Sequence, residues 1–358
     1  MIVLNVMLGR GRGGLERAAA HYHHALLASG HSVVGFGHPT GWMRSQLPAG
    51  AAFQSAAPLN DFDFRTHFAL VRTLRELRPT VVLAHGNRAI RFASRLEGVW
   101  RIGVLHNSRF KSATGRLDAC IAVTPELAAA ARRQYAGMNV EVVPNLVDMA
   151  AETTRPPRRE PVVIGALGRL HVDKGFDRLI RALADPGLPG MNWRLVIAGE
   201  GPERAALQGL ATHLGIGQHV ELIGWVDDRR SFFRSIDVLC MPSRTESFGM
   251  VLVEAMAHGV PVIVSDNPGS REIVRSDSDA LVVDADDEPA LAAALAKLIA
   301  DPDLAAALGR NGRERVSTAY ALPIVAEKLD QALGRLVMAR TDETRPGIDE
   351  LALAGVAS

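Results

Sequence analysis

The sequence contains few cysteines and no long hydrophobic run, and each of these absences excludes a class of protein. Only Cys120 and Cys240 occur among 358 residues, each inside an apolar stretch, so we expect two buried, reduced thiols and no disulfide framework. No run of 18 or more apolar residues is present, and the chain opens on the strand-like IVLNVML without a basic leader region or a cleavage site. The sequence therefore predicts a cytoplasmic protein without a membrane-spanning helix or a secretion signal.

The charged residues nearly cancel in total, but they are unevenly distributed along the chain. The formal net charge is +1; residues 1–150 hold 17 Lys or Arg against 9 Asp or Glu, whereas residues 151–358 hold 23 against 30. A basic half is typical of proteins that meet an anionic partner, although a solvated arginine-rich face gives the same count. Interleaved aromatic residues and nucleic-acid motifs are absent from the basic segments, so we do not expect nucleic-acid binding.

The length and the order of the short apolar runs predict two α/β domains. With 358 residues, 47% of them hydrophobic, the chain is long enough for two cores of about 150–200 residues each. Short β-branched runs alternate with helical patterns, which is typical of doubly wound, Rossmann-like parallel sheets. Ligands of such sheets bind beyond the carboxyl ends of the strands, so we expect both domains to face a central cleft.

Boundaries follow from composition and periodicity. We predict an amino-terminal domain at 1–150, a polar linker at 151–160, a carboxyl-terminal domain at 161–320, a helix at 321–340 that packs back on the first domain, and an unassigned tail at 341–358. The predicted strands are 2–8, 32–36, 80–84, 101–105, 119–123, 140–143, 162–167, 194–198, 220–224, 238–241, 261–265 and 280–283. The predicted helices are 15–29, 64–77, 88–96, 125–135, 175–184, 202–214, 227–235, 248–258, 289–300, 303–317 and 322–339.

A glycine-rich loop follows the first predicted strand. Gly9, Gly11 and Gly14 fit GxGxxG at the start of a helix, the context of a dinucleotide fingerprint. That fingerprint also needs an acidic residue about 20 positions later, where this chain reads GFGHPT, so an NAD site is disfavoured. The remaining interpretations are an anion site at the helix amino terminus, assisted by Arg10 and Arg12, and a simple tight turn.

The loop GRLHVDKG at 168–175 begins the second domain's candidate site. Gly168 permits a tight turn, and Arg169 and Lys174 place two cations beside a helix amino terminus, an arrangement that suits a diphosphate. The alternative is a solvated pair of cations near Asp173 and Asp177. A second tight strand-to-helix turn follows in AGEGPER, residues 198–204.

The segment ESFGMVLVE at 246–254 carries two acidic residues about two helical turns apart. Glu246 lies in the loop after a strand, and Glu254 lies among apolar residues of the following helix. A carboxylate buried without partners is unfavourable, so we expect Glu254 to bind a ligand such as a pair of ribose hydroxyls, and Glu246 to meet a sugar. The alternative is one solvated and one structural glutamate.

Taken in order, six motifs resemble those of the retaining glycosyltransferases of family four, which have the GT-B fold. They are GGLER (13–17), GRLHVDKG, AGEGP, ELIGWV (221–226), ESFGMVLVE and HGVPVIVSDNPGSREIV (258–274), and they span nearly the whole chain. The resemblance implies a nucleotide-sugar donor on the second domain and an acceptor on the first. It also implies no metal, no cofactor, and a role in polysaccharide or lipopolysaccharide biosynthesis.

Site residues carried over from the resemblance keep their order along this chain. Arg169 and Lys174 would contact the donor diphosphate, Glu254 the ribose and Glu246 the transferred sugar. His106 would face sugar and acceptor, with His85 as the competing candidate. The remaining substrate-binding residues implied are Gly13, Gly14, Gly168, Gly199, Gly201, Trp225, Val226, Ser247, Phe248, Gly249, Met250 and Val251.

The chemistry implied is charge stabilisation at a departing diphosphate. Two fixed cations stabilise the negative charge on the leaving oxygen, and the sequence offers no compelling carboxylate pair for a double displacement. The resemblance implies retention through same-face attack, with the departing phosphate taking the acceptor proton. A metal-dependent alternative would use Asp61-Phe62-Asp63, Asp277 with Asp279, or Asp301 with Asp303. Helical spacing directs two histidines of HYHH (21–24) toward solvent, and they lack an evident third ligand.

Arginines recur at helical spacing in the first domain. Arg88, Arg91 and Arg95 line one predicted helix face, and a basic loop follows at 108–116. A second helix carries Arg72, Arg75 and Arg78. We hypothesise docking to an anionic membrane surface on its inner face, or to a phosphorylated, lipid-linked acceptor.

The sequence is compatible with three functions. The first is transfer of a hexose or N-acetylhexosamine from a nucleotide sugar, with uridine preferred over guanosine as the base, to a glycan, lipid-linked or small-molecule acceptor. The second is non-catalytic binding of a nucleotide sugar by the same fold. The third is an NAD-dependent oxidoreductase.

Overall fold

The computed structural model describes residues 1–149, 158, 160–185, 188, 190 and 192–338. The predicted tail at 341–358 lies outside the described residues, as does the predicted linker except for Arg158 and Glu160. The chain forms two compact units. One comprises Met1–Leu146 together with the chain from Leu322, and the other comprises Val147–Ala321.

A seven-stranded parallel sheet organises the first unit, in the order β3-β2-β1-β4-β5-β6-β7. The strands are β1 Ile2–Met7, β2 Ser32–Gly37, β3 Phe53–Ser55, β4 Val81–His85, β5 Trp100–Leu105, β6 Ala119–Ala122 and β7 Asn139–Val142. Its helices are α1 Gly14–Ala28, α2 Trp42–Ser45, α3 Phe64–Leu77, α4 Gly86–Ala93 and α5 Pro125–Gln134. The central strands are buried along their length, since helices cover both faces of such a sheet.

A six-stranded parallel sheet organises the second unit, in the order β10-β9-β8-β11-β12-β13. The strands are β8 Val162–Leu167, β9 Trp193–Ala198, β10 Val220–Gly224, β11 Val238–Met241, β12 Val262–Ser265 and β13 Leu281–Val283. Its helices are α6 Phe176–Leu183, α7 Arg204–His213, α8 Arg229–Ser235, α9 Met250–Ala257, α10 Pro268–Ile273, α11 Glu288–Ala300 and α12 Pro302–Ala319. A short 3₁₀ turn, Val172–Lys174, precedes α6.

The predicted α/β, doubly wound architecture is confirmed in both units. Each sheet winds outward from its first strand and then continues on that strand's other side, between β1 and β4 and between β8 and β11. Such reversal points are where doubly wound sheets bind their ligands. The sequence prediction missed the edge strand β3 and the short helices α2 and α10.

A long helix, α13 (Leu322–Met338), packs on α1 of the first unit. Val325, Leu329 and Leu333 on its inner face are fully buried. Polar contacts fix its position: Ser29 Oγ donates to Ala326 O at 3.0 Å, and Arg335 pairs with Glu141 at 2.8 Å. The chain therefore returns to complete the unit with which it began.

Both cysteines are buried and free, as predicted. Burial raises the pKa of Cys120 to about 12 and that of Cys240 further still, so neither is a reactive thiolate at neutral pH. Within the described residues, no helix is both long enough and apolar enough to cross a bilayer.

Candidate functional site

The candidate site of the second unit lies at the carboxyl ends of its strands, around the reversal point between β8 and β11. Two loops meet there: residues 168–175 after β8 and residues 242–249 after β11. Gly175 has a φ of +66°, and a side chain there would place its Cβ 2.1 Å from Pro242 O. Only glycine permits this approach, which brings the two loops into contact.

The loop after β9 packs directly on the loop after β8. Gly168 N–H donates to Ala198 O at 3.0 Å, and Leu170 N–H donates to Glu200 O at 2.9 Å. A Cβ at Gly199, where φ is +145°, would lie 1.8 Å from Gly168 O. A Cβ at Gly201 would lie 2.2 Å from Leu170 O. The predicted substrate-binding glycines therefore hold adjacent loops together through their backbones.

Lys174 and Glu246 form an ion pair between these loops. The Lys174 Nζ lies 2.6 Å from Glu246 Oε2, and the two side chains are 25% and 17% exposed. The sequence assigned the lysine to a diphosphate and the glutamate to a sugar. The structure brings the two residues together, so a ligand that takes hydrogen bonds from one must be adjacent to the other.

Arg169 follows Gly168 on the same loop and is exposed. Across the described residues it has no ion pair or hydrogen bond. The acidic neighbours proposed as its alternative partners are engaged elsewhere: Asp173 contacts His171 at 3.2 Å, and Asp177 pairs with Arg244 through two contacts of 3.1 and 3.0 Å.

Arg244 is a residue that sequence reasoning missed. Besides Asp177, its guanidinium bonds Val172 O at 2.5 Å, and its backbone N–H donates to Asp173 O at 2.8 Å. These contacts fasten the loop after β11 to the 3₁₀ turn that carries Lys174. The sequence feature that could have predicted this role is the basic residue in MPSRT (241–245).

Glu254 is buried on α9 and forms a salt bridge with Arg229. The side chains are 8% and 12% exposed respectively. We expected a partner for this carboxylate because a buried, unpaired charge is unfavourable, but the sequence did not identify Arg229. Arg229 is the first residue of α8. Asp228 caps this helix by accepting the Ser231 N–H at 3.0 Å.

The helix α9 begins at the site. Gly249, with a φ of +91°, precedes Met250, the first helical residue, and the first turn of a helix leaves N–H groups without intrahelical acceptors. Phe248 anchors the turn: it is buried and lies edge-on to Tyr320 at 5.7 Å. Ser247 and Val251 are partly exposed at this end of the helix.

The loop that carries Glu246 also packs on α10. Gly269 N–H donates to Glu246 O at 3.1 Å, and a Cβ at Gly269 would lie 2.7 Å from that oxygen. Asn267 caps α10 and bonds Ser243 O at 3.2 Å. Segment 265–270 therefore supports the backbone around Glu246.

Trp225 and Val226, predicted to line a base, lie in the loop after β10. Trp225 is 40% exposed, and its Nε1 donates to Asp227 at 2.9 Å; Val226 is partly buried. Gly224 O accepts the Gly199 N–H at 2.7 Å. The Trp225 loop is thus adjacent to the loop after β9.

In the first unit, the glycine loop wraps around a carboxylate of its own helix. Gly13 N–H donates to Glu16 Oε2 at 3.1 Å, and Gly14 begins α1. A Cβ at Gly9 or Gly11 would lie 2.6 or 2.7 Å from Glu16 Oε1. The sequence prediction did not include Glu16, although GGLER contains it. This carboxylate accepts the N–H of Gly13, a residue that the resemblance had assigned to substrate binding.

The two candidate histidines of the first unit contact each other. His85 Nδ1 lies 3.2 Å from His106 Nε2, and the rings stack with centroids 5.4 Å apart. His85 is buried, whereas His106 is partly exposed, so His106 is the member of the pair that a ligand reaches. Burial lowers the pKa of His106 to about 3, and burial followed by the charge of His106 lowers that of His85. Both imidazoles are therefore neutral at neutral pH.

The acidic triplet Asp61-Phe62-Asp63 is engaged in structural contacts. Asp61 pairs with Arg88 at 3.1 Å and with Arg91 at 3.6 Å, and Asp63 caps α3 by accepting the Thr66 N–H at 3.2 Å. In the described ranges, no three His, Cys, Asp or Glu side chains are grouped to hold a metal ion.

The histidines of HYHH at 21–24 are likewise engaged or buried. His21 bonds Leu146 O and His24 bonds Gln46 O, each at 2.9 Å. His23 is buried together with Tyr22. His21 and His24 are nevertheless partly exposed, in line with the expectation that two of these histidines point toward solvent.

The predicted arginine face, Arg88, Arg91 and Arg95, is partly covered. Phe62 lies beneath the guanidinium groups of Arg91 and Arg95, 5.1 Å from each, while Asp61 pairs with Arg88. The turn at 61–62 thus neutralises part of the positive charge of this face and covers part of its surface. The sequence had predicted an uncovered basic face.

Comparison with known proteins gives two family matches that together span most of the chain. Residues 152–315 match the family described as Glycosyl transferases group 1, and residues 12–151 match Glycosyltransferase Family 4. Two relatives from Rhizobium meliloti (strain 1021) are named lipopolysaccharide core biosynthesis glycosyltransferases. LpsE is 30% identical over 340 residues, covering 90% of this chain and 96% of LpsE. LpsD is 30% identical over 331 residues, covering 89% and 94%.

Among solved structures, Anabaena Alr3699/HepE in complex with UDP-glucose superposes with a TM-score of 0.79 at 20% identity. The match covers 93% of this chain and 99% of that one. At this level of identity the likeness bears on the fold, and the predicted GT-B fold is confirmed.

Proposed function

Because this chain belongs to the group 1 glycosyl transferases and is a glycosyltransferase, we propose that it moves a hexose or N-acetylhexosamine from a nucleotide sugar to an acceptor with retention of anomeric configuration. The acceptor is a glycan, a lipid-linked sugar or a small molecule. The reaction uses no metal and no cofactor.

The observation that carries the proposal is the Lys174–Glu246 ion pair at the reversal point of the second sheet. A 2.6 Å contact puts an ammonium and a carboxylate side by side, which suits a substrate with a phosphate joined to a hydroxyl-rich sugar. Phosphate oxygens accept hydrogen bonds from Lys174 and Arg169, and sugar hydroxyls donate to Glu246. Glu254, held by Arg229, presents its carboxylate to the ribose.

In the reaction, the bond between the sugar's anomeric carbon and the diphosphate oxygen breaks while the acceptor oxygen bonds to the same face of that carbon. Negative charge develops on the leaving oxygen, where Lys174 and Arg169 stabilise it. One pre-organised donor of this kind contributes about 3 kcal/mol to transition-state stability. The acceptor proton passes to a departing phosphate oxygen.

His106 acts in this proposal as a neutral hydrogen-bonding group. Its Nε2 faces His85 Nδ1 at 3.2 Å, which leaves Nδ1 for a hydroxyl of the sugar or the acceptor. Since burial lowers the pKa of His106 to about 3, protonated His106 is not the acid of the reaction at neutral pH.

Uridine is the proposed base, with guanosine second. Support comes from the structure of Alr3699/HepE, whose complex contains UDP-glucose. The names of LpsE and LpsD refer to the lipopolysaccharide core, which supports a glycan acceptor in polysaccharide or lipopolysaccharide biosynthesis.

Donor turnover tests the proposal. The protein is first screened by thermal shift against UDP, GDP and ADP sugars, and release of the nucleoside diphosphate is then measured with the sugar that stabilises it most. Lys174→Ala should lower release at least 100-fold. Lys297→Ala is the matched control because this exposed lysine lies on α11.

Two results would overturn the proposal. A Lys174→Ala enzyme as fast as the Lys297→Ala enzyme would remove the lysine from the reaction. Stabilisation by a nucleotide sugar without any release of diphosphate, with acceptors supplied, would favour the alternative of a non-catalytic nucleotide-sugar-binding protein.

We also propose that the protein works in the cytoplasm, peripherally on the inner face of a membrane. Leu59, Phe62, Phe64 and Phe68 are exposed to 84%, 62%, 78% and 72%. Such a cluster is unusual on a water-facing surface. It occupies the start of α3 and the turn before it.

Charge accompanies the apolar cluster. Phe64, Phe68, Arg72 and Arg75 are spaced by four, four and three residues, so they share one face of α3, and both arginines are exposed. The opposite face, with Leu70 and Leu74, is buried. Aromatic anchors beside cations suit the surface of an anionic bilayer.

Vesicle sedimentation tests this association. The protein should pellet with vesicles that contain anionic lipid, and less so at high salt. Phe64→Ser with Phe68→Ser should reduce binding at least fivefold, whereas Leu27→Ser, which changes a residue 38% exposed on α1, should not. Equal pelleting with neutral vesicles, or by the double variant, would contradict it.

A further inference from the structure

An arginine-lined pocket lies within the first unit, between the glycine loop and the segment that leads into α2. Its volume is about 500 Å³, within the range of pockets that hold small molecules. The polar and aromatic residues of its lining are Arg10, Arg12, Thr40, Trp42, Arg44 and Ser45. The lining contains three cations and no acidic residue.

The three lining arginines are exposed to the pocket and to solvent, and neighbouring groups hold the Arg44 side chain in place. Arg44 lies over the Phe53 ring, 5.4 Å from its centroid, and its Nη1 donates to Pro39 O at 3.4 Å. A fourth guanidinium, Arg17, lies 4.5 Å from the centroid of Trp42. The nearby Glu16 accepts the Gly13 N–H at 3.1 Å and is not part of the pocket lining.

A buried histidine adds an unused donor next to this lining. His38 is 6% exposed, and its Nδ1 accepts the Thr40 N–H at 3.2 Å. Its proton is therefore on Nε2, which is buried and has no hydrogen-bond partner within the described part of the chain. Burial, and after it the charge of Arg10, lowers the pKa of His38, so the ring stays neutral beside the arginines.

Three guanidinium groups around one cavity supply more positive charge and more N–H donors than a ligand with a single carboxylate would use. Guanidinium is planar and donates in pairs, which matches the tetrahedral oxygens of a phosphate. Hydroxyls of Thr40 and Ser45 complete a lining suited to a phosphorylated sugar. The donor's diphosphate has its own cations, Arg169 and Lys174, on the second unit.

We propose that the Arg10–Arg12–Arg44 pocket binds a phosphate group of the acceptor substrate, so that the enzyme takes a phosphorylated acceptor. This inference rests on the proposed transferase function, because it divides the two substrates between the two units. The same chemistry has another source, the donor diphosphate, and the experiment separates the two.

Calorimetric titration of the full chain with glucose 6-phosphate, inorganic phosphate and glucose tests the pocket. We expect saturable binding of glucose 6-phosphate, weaker binding of phosphate, and no binding of glucose. Arg10→Gln should weaken glucose 6-phosphate binding at least tenfold. Arg10 is exposed and has no ion pair or hydrogen bond among the described residues, so this change should not alter folding.

Two controls identify the source of the phosphate. Arg133→Gln changes an exposed arginine of α5, beside strands at the far side of the sheet from β2 and β3, and should bind glucose 6-phosphate normally. UDP affinity should stay within twofold in the Arg10→Gln and Arg133→Gln variants, and saturating UDP should not displace glucose 6-phosphate.

Several outcomes would overturn the inference. They are absence of saturable glucose 6-phosphate binding, equal weakening by Arg133→Gln, and competition by UDP, which would assign the pocket to the donor. Failure of the proposed function is distinguishable, since it appears as absent diphosphate release in the unmodified protein, whereas the calorimetric arms do not depend on turnover.

Discussion

Lys174 and Glu246 lie 72 positions apart in the chain but only 2.6 Å apart in space. The sequence identified both residues, because each belongs to a loop with a recognisable pattern of glycines and charges. It did not identify their contact, nor the Glu254–Arg229 and Gly13–Glu16 contacts. Pairings of this kind depend on which strands are neighbours, and the residue pattern of a single loop does not contain that information.

At the residue scale, the Arg229–Glu254 pair gives a first prediction. Arg229→Met leaves a buried carboxylate unpaired and should lower the free energy of unfolding by about 3 kcal/mol. Adding Glu254→Leu should recover most of this loss while nucleotide affinity stays low. Urea unfolding and UDP titration measure the two effects. A double variant as unstable as the single one would contradict the account.

Buried histidines give a second prediction. Burial, and then the charge of His24, lowers the pKa of His23 from 6.5 to about 4, and burial lowers that of His106 from 6.5 to about 3. Below pH 6.5 the unfolded chain binds protons that the folded protein does not. The contribution of these histidines to the free energy of unfolding should therefore be constant above that pH and fall as the pH drops from 6.5 to 4.

The matched variants for this prediction are His23→Leu and His213→Leu. Removing His23 should make the decline between pH 6.5 and 4 shallower. The exposed ring of His213 on α7 meets water in both states, so its removal should leave the slope unchanged. Urea unfolding at half-unit intervals of pH measures the slopes, and equal slopes in all three proteins would refute the assignment.

At the element scale, the apolar pattern of each segment predicted most of the strands and helices. The strands β8, β10 and β11 and the helix α3 begin and end where their patterns predict, because each has enough buried residues to define its own period. The elements missed are short: β3 has three residues and α2 four. Their stability comes from neighbours more than from their own sequence.

One missed element did carry a local signal. Helix α10 starts at Pro268 behind Asn267, which caps it by accepting the Ser270 N–H at 3.0 Å. Asn followed by Pro is a recognised helix start. The resemblance placed this segment inside the motif at 258–274, and a motif match does not by itself predict where a helix starts.

The contact between the loops after β8 and β9 gives a third prediction. Gly199→Ala places a Cβ 1.8 Å from Gly168 O, so the loops must separate, at a cost of about 1–3 kcal/mol, and donor affinity should fall with stability. Gly209→Ala is the control: it lies inside α7, where a Cβ meets nothing within 4 Å. It should stabilise the protein by about 0.5–1 kcal/mol. Melting curves and UDP titrations measure both.

At the scale of the whole molecule, the chain divides into two units according to which elements bury apolar surface against each other. The units therefore do not simply follow one another along the chain. The second unit is continuous, whereas the first needs α13 from the end of the described chain. The GT-B fold followed from the motifs, and the alternation of elements predicted two parallel sheets. The strand orders required the structure, since several orders satisfy the same alternation.

Completion of the first unit by α13 gives a fourth prediction. Leu329→Ala removes a fully buried side chain of α13 and should destabilise the first unit by about 2–5 kcal/mol. Lys328→Ala, one position earlier and exposed, should not. Two tryptophans lie in each unit, at 42 and 100 and at 193 and 225, so in a background with Trp193→Phe and Trp225→Phe the emission reports on the first unit alone. Unchanged unfolding of the first unit in Leu329→Ala would contradict the role given to α13.

The return of α13 to α1 also sets an order of events during synthesis. While the ribosome translates Val147–Ala321, the surface of α1 that α13 later covers is open to water and to chaperones. At ~5–20 residues per second this interval lasts about 10–35 seconds. A nascent chain that stalls within the second unit would therefore expose an unfinished first unit to proteases, so quality control of this protein begins before α13 leaves the exit tunnel.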